Sequence, residues 1–66
     1  MRLNIYMKDG TELQDVVLMD ENGVLPFKEG IGLIIEPEND KIMFSGSCVQ
    51  GLLVIKQIKR YEVVGG

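Results

Sequence analysis

Residues 52–64, Leu-Leu-Val-Ile-Lys-Gln-Ile-Lys-Arg-Tyr-Glu-Val-Val, constrain the fold of this chain more than any other stretch. Four consecutive apolar residues, Leu52 to Ile55, give way to a polar pause at Lys56-Gln57 and then to a second β-prone segment. The pattern predicts a strand, one tight turn with Ile58 pointing inward, and a final strand. That arrangement closes small β-barrels.

The rest of the chain reads as short strands between turn signals. Residues 2–8 alternate strictly, with Leu3, Ile5 and Met7 on one face and Arg2, Asn4, Tyr6 and Lys8 on the other, the period of a half-buried strand. Asp9-Gly10 is a hairpin signal, because a type I′ turn needs positive φ at both central residues. A second strand runs from Thr11 to Met19 with Leu13, Val17 and Met19 inward, and Asp15 interrupts that series where a bulge is expected. Asp20-Glu21-Asn22-Gly23 is a turn. Pro26 excludes a central strand position, so residues 24–32 are expected as a loop or short edge strand with Phe27 against the core. Leu33-Ile34-Ile35 reads as a third strand, Lys41–Ser45 as a fourth with Ile42 and Phe44 inward, Val49 or Gly51 to Lys56 as a fifth, and Arg60–Val64 as a sixth. No window between turn signals keeps apolar residues at helical spacing. The expected class is all-β, in one domain over residues 1–66.

In a half-exposed sheet only alternate residues should be apolar. Val16–Met19, Leu33–Ile35 and Leu52–Ile55 offer apolar side chains to both faces. A chain of 66 residues buries a modest share of its surface and usually needs a disulfide set, a metal or a partner subunit. Cys48 is the one cysteine and there is no histidine, so neither an internal disulfide nor a tetrahedral zinc site can form. Self-association is the expected support, with Val16, Leu18, Ile34, Leu52 and Val54 at an oligomer interface. The plainer reading leaves these aliphatics simply on the surface.

With the hairpin Ile5-Tyr6-Met7-Lys8-Asp9-Gly10-Thr11-Glu12-Leu13, an apolar second strand ending at Asp20, and the closing segment Val54–Val63, the chain resembles the small SH3-like and Sm-like β-barrels. The resemblance implies a barrel of five or six strands, a one-turn 3₁₀ helix before the last strand, and a tendency to assemble as a ring or dimer. Sm-like proteins hold RNA bases with an asparagine and an Arg-Gly pair. Here Val24 falls near the first place, with Asn22 close by, and Lys56-Gln57 stands at the second.

Charge is unevenly placed. Residues 1–40 hold nine acids and three bases, a net −6, and residues 41–66 hold four bases and one acid, a net +3. Broad nucleic-acid binders are basic overall, which leaves room only for a local anion site. Lys56, Lys59 and Arg60 are its candidates, able to grip a phosphate of a nucleotide, a short nucleic acid or a phosphorylated small molecule. The same cluster suits a solvated turn, or contact with the acidic half of a neighbour. Gly30 and Gly32 are candidate loop contacts through their backbone amides, although the spacing is not GxGxxG and loop geometry alone accounts for them. The acids of residues 20–21 and 36–40 lie in turn-forming sequences and suggest solvated turns rather than a metal site. Cys48 is expected as a small buried or half-buried core residue. Without histidine the commonest general base is missing, so no enzyme, metal or cofactor is expected. No apolar run approaches the ~20 residues of a membrane span, the N-terminus lacks the apolar core of a signal peptide, and a lone thiol fits a cytoplasmic setting.

Two functions follow as expectations. One is a non-enzymatic, homo-oligomeric protein that binds or sequesters a nucleotide, oligonucleotide or other phosphorylated ligand, as a bacterial or phage regulator would. The other is a protein-interaction module or inhibitor that docks on a larger partner through its acidic face or a strand edge.

Overall fold

A computed structural model describes residues 2–65. In chain order it has β1 (Arg2–Met7), β2 (Glu12–Asp20), β3 (Gly23–Val24), α1 (Phe27–Ile35), β4 (Lys41–Ser45), β5 (Gln50–Val54), a 3₁₀ turn (Ile55–Gln57) and β6 (Ile58–Val64). The strands form one antiparallel sheet in the order β5-β4-β2-β1-β6, with β3 paired to β2. The two end strands do not pair with each other, so the sheet is open. Its inner face buries Leu3, Ile5, Val16, Leu18, Ile42, Phe44, Leu53 and Ile55. Phe27 and Ile58 pack on that cluster, as the sequence predicts.

The β1–β2 connection is longer than a two-residue type I′ turn. The Gly10 N–H donates to the Met7 carbonyl at 3.1 Å and the Met7 N–H to the Thr11 carbonyl at 2.8 Å. Gly10 has φ 94, the left-handed residue that closes a three-residue hairpin with a bulge. The Thr11 N–H donates to Asp9 Oδ1 at 2.9 Å, and this bond holds the Asp9 carboxyl below its ordinary pKa.

The bulge expected at Asp15 is present and has a consequence for β2. Leu3 pairs with Val16 and Ile5 with Leu13, so two steps along β1 match three along β2. Asp15 takes φ 53. One extra residue inverts the side-chain alternation beyond it. Leu13 packs on the core, but past the bulge Val16 and Leu18 point inward, 0% and 4% exposed. Val17 and Met19, expected inward, are half-buried on the other side. Val16 and Leu18 therefore belong to the monomer's own core, which corrects their assignment to an oligomer interface.

Residues 27–35 correct the sequence reading more sharply: they are helical, not a loop followed by a strand. Pro26 stands at the N-cap with φ −54, where a missing N–H costs nothing. Pro37 follows the C-cap residue Glu36, where a helix commonly stops. Phe27, Gly30, Ile31 and Ile34 lie at helical spacing and face the sheet. Gly30 is buried, and a Cβ there would come within 3.1 Å of Leu18 Cδ1. The stripe is apolar only when that glycine is counted. Ile34, expected on a strand at an interface, is instead partly buried against the core.

Candidate binding surface

The lysines of the closing segment are positioned by two irregularities. Tyr6 pairs with Arg60 but Met7 with Ile58, so Lys59 is an extra residue at the start of β6 and Ile58 turns inward. The Lys8 N–H donates to the Gln57 carbonyl at 2.8 Å, which ties the β1–β2 turn to the 3₁₀ turn. Exposed Lys8 thus joins exposed Lys56 and Lys59 in one neighbourhood. Ionised Asp9 in the same turn partly offsets them. Lys8 lies far from the others in sequence, and only the β1–β6 pairing reveals it.

The Arg60 side chain is engaged by other groups. Its guanidinium lies 3.9 Å over the Tyr6 ring and 3.4 Å from Glu62 Oε1. The Tyr6 O–H donates to that same oxygen at 2.5 Å. The three side chains share a face because Tyr6 pairs with Arg60 and Asn4 with Glu62. The hydrogen bond from Tyr6, helped by the Arg60 charge, holds the Glu62 carboxyl below its ordinary pKa. The same bond pushes the Tyr6 phenol up, against a smaller opposing pull from Arg60. Arg60 is a compensated cation, stacked and paired within its own chain.

Gly30 and Gly32 present no amide cradle. The Gly30 N–H donates to the Pro26 carbonyl at 3.0 Å and the Gly32 carbonyl accepts the Glu36 N–H at 2.8 Å. Both glycines are helical, which corrects their reading as loop contacts. Cys48, expected in or near the core, is exposed in the β4–β5 connection.

Exposed large apolar side chains are Val24, Ile35, Met43, Val49, Leu52 and Val63, and two of them, Met43 and Leu52, stand together on β4 and β5. Met43 pairs with Leu52 and with Met19, and these three make a row on the face away from the core. Leu52 is 62% exposed and Met43 40%. Val54 lies half-buried opposite Lys41. The outer edge of β5 has no partner strand among the described residues. Comparison with known proteins found no matching family model, no matching curated protein and no matching solved structure. The surface must therefore be read from its own chemistry. At the opposite end of the sheet β6 likewise has a free edge among the described residues, and its Val63 is 51% exposed. Beside β5 lies an open groove of about 420 Å³ whose walls include Leu25, Leu33, Met43 and Leu52. Leu33, which the sequence pattern places on a strand, forms part of its wall from the helix. Among the described residues no helix is long and apolar enough to cross a membrane.

Proposed function

We propose that this chain is a non-enzymatic binding protein, in finer detail an SH3/Sm-like barrel, that engages another polypeptide along the open edge of β5. The barrel reading rests on the meander order β5-β4-β2-β1-β6 and on the 3₁₀ turn that joins the two end strands. The observation that carries the function is Gln50–Val54 itself, an end strand with exposed Leu52 at its centre. A row of unpaired backbone N–H and C=O groups is a template for a further strand. Main-chain hydrogen bonds supply affinity there and alternate side chains supply specificity. Two occupants suit the edge: the open β6 of a second copy, which makes a homo-oligomer, or an extended segment of another protein.

Amide hydrogen exchange combined with native mass spectrometry tests the reading. The β5 edge amides should gain protection as protein concentration rises or when an extended peptide is added, and Leu52→Lys should remove that gain without unfolding the chain. Edge amides that stay unprotected in both experiments rule the reading out.

A second reading keeps the anion site, reduced to Lys8, Lys56 and Lys59 and without Arg60. The Lys8–Gln57 hydrogen bond favours it, because it adds a third cation to the closing turn. A nucleotide, oligonucleotide or other phosphorylated ligand is the class such a site takes.

A further inference from the structure

The groove beside β5 continues along the helix. Its 420 Å³ adjoin a second depression of about 440 Å³, and Asp20, Leu25, Leu33 and Glu38 line both. The floor is apolar, with Leu25 and Leu33 on one side and Met43 and Leu52 on the other. Four carboxylates, Asp20, Glu29, Glu36 and Glu38, stand around it, with Lys41 as the one cation among the lining residues. Among the described residues the single ion pair is Arg60–Glu62, so none of these four acids is held in a salt bridge, although Asp20 Oδ1 accepts the Asn22 N–H at 2.8 Å. Volumes of this order admit several side chains. The groove is open, which suits a chain laid across it better than an enclosed small molecule.

We propose that this groove, with the adjoining β5 edge, receives an extended segment of a partner protein whose groove-facing side chains, every second residue, are aliphatic at the centre and lysine or arginine at the ends. The inference rests on strand addition at β5 and goes further by fixing the chemistry of the added strand. Leu52 belongs to both features, since it lies on the edge strand and lines the groove. A strand paired to β5 sends alternate side chains to the face of Leu52 and Met43. Aliphatic residues on that face meet the apolar floor. Basic residues at the ends of that same face meet the carboxylates, which no salt bridge among the described residues engages, and this complementarity selects the partner and speeds its encounter. A second copy is the poorer fit. Its β6 brings Lys59 and Arg60, but Arg60 is held by Tyr6 and Glu62, and Glu62 adds an acid to an acidic rim.

The test uses the full chain and three short fluorescent peptides. One carries valine and leucine at the central alternate positions of one face and lysine at the outer positions of that same face, one replaces the lysines by glutamate, and one replaces the aliphatic residues by serine. Fluorescence anisotropy should show saturable binding of the first, with at least tenfold weaker binding of the other two. Glu36→Lys combined with Glu38→Lys should weaken the first peptide by a similar factor and strengthen the glutamate peptide. Added salt should weaken the lysine peptide as surface charges are screened. Equal binding of the lysine and glutamate peptides, both abolished by Leu52→Lys, overturns the partner chemistry and leaves strand addition standing. Binding of any of them that survives Leu52→Lys unchanged overturns both. A native mass showing an oligomer whose groove amides are protected without peptide assigns the groove to a second copy and also overturns the proposal.

Discussion

The side-chain carbonyl of Asn4 accepts the backbone N–H of Asp15 at 3.2 Å. Arg2 reaches the same bulge from the neighbouring position on that face, donating from Nη1 to the Asp15 carbonyl at 3.2 Å. Two side chains of β1 thus hold a β2 residue at φ 53, a conformation that costs a non-glycine residue about 1–2 kcal/mol. The bulge in turn decides which residues of β2 face the core.

Asn4→Ala should therefore destabilise the protein by about 1 kcal/mol, the usual net value of one hydrogen bond. Asp15→Val should cost more, because a β-branched residue resists positive φ, whereas Asp15→Gly relieves the strain. Urea unfolding of the three variants checks the order. If Asp15→Val matches the parent, φ at residue 15 does not govern the strand.

Gly30 and Gly32 occupy the same helix with different surroundings. A Cβ at Gly32 meets nothing within 4 Å, whereas one at Gly30 meets Leu18 Cδ1 at 3.1 Å. Gly32→Ala should gain about 0.5–1 kcal/mol from helix propensity alone. Gly30→Ala should gain less or lose stability, and Gly30→Leu should lose clearly. Thermal melts in parallel decide it. Equal gains from both alanines would mean that the helix does not sit close on Leu18.

Much of the sheet was legible because its signals are local. Strict alternation marked β1, Lys41–Ser45 was bounded by turns on both sides, and Lys56-Gln57 marked the 3₁₀ turn. The helix was not legible, for a physical reason. Its core-facing stripe Phe27-Gly30-Ile31-Ile34 includes a glycine that lies close on Leu18, and the apolar run Leu33-Ile34-Ile35 at its end has the composition of a short buried strand. The facing of Val16 and Leu18 is not legible in the local alternation, because the extra residue at Asp15 inverts it and only the pairing of Leu3 with Val16 and Ile5 with Leu13 fixes where. The pairing of Tyr6 with Glu62, and with it the hold on Arg60, joins positions 56 residues apart, beyond any local pattern. The groove is lined by Leu33 of α1, so no local strand pattern reveals it.

The Tyr6–Glu62 contact gives stability a pH dependence at both ends. Glu62 has its pKa lowered from 4.5, so its contribution is present above the unfolded value and is lost as pH falls through the lower folded one. Tyr6 has its pKa raised from 10.0, so its contribution is full below that value and is lost as pH rises through the higher folded one. Tyr6→Phe should lower mid-range stability slightly and flatten the Tyr6–Glu62 part of both arms. Denaturation midpoints across pH give the comparison. Unchanged acid and alkaline arms in Tyr6→Phe would show that the hydrogen bond does not persist in solution.

Inner and outer faces should respond oppositely to truncation. Ile5 is fully buried, and Ile5→Ala should cost about 2–5 kcal/mol. Leu52 is exposed, so in the monomer Leu52→Ala should stay within about 0.5 kcal/mol. A large, concentration-dependent loss for Leu52→Ala would instead mark a self-association surface at β5, since stability linked to assembly falls on dilution.

The closing turn allows a last separation, between cations that are free and one that is not. Lys8, Lys56 and Lys59 have no ion-pair partner among the described residues, whereas Arg60 pairs with Glu62. If the turn binds a phosphorylated ligand, Lys56→Glu with Lys59→Glu should weaken a nucleoside triphosphate by tenfold or more, the equivalent of one charge-assisted hydrogen bond of about 1.5 kcal/mol. Arg60→Gln should change that affinity little, because its guanidinium is already engaged by Tyr6 and Glu62. Isothermal titration at low salt, where surface charges are least screened, is the measurement. A larger loss from Arg60→Gln than from the double lysine variant would mean that Arg60 leaves Tyr6 to meet the ligand. No heat from the parent protein would remove the anion site and leave the β5 edge as the surface to pursue.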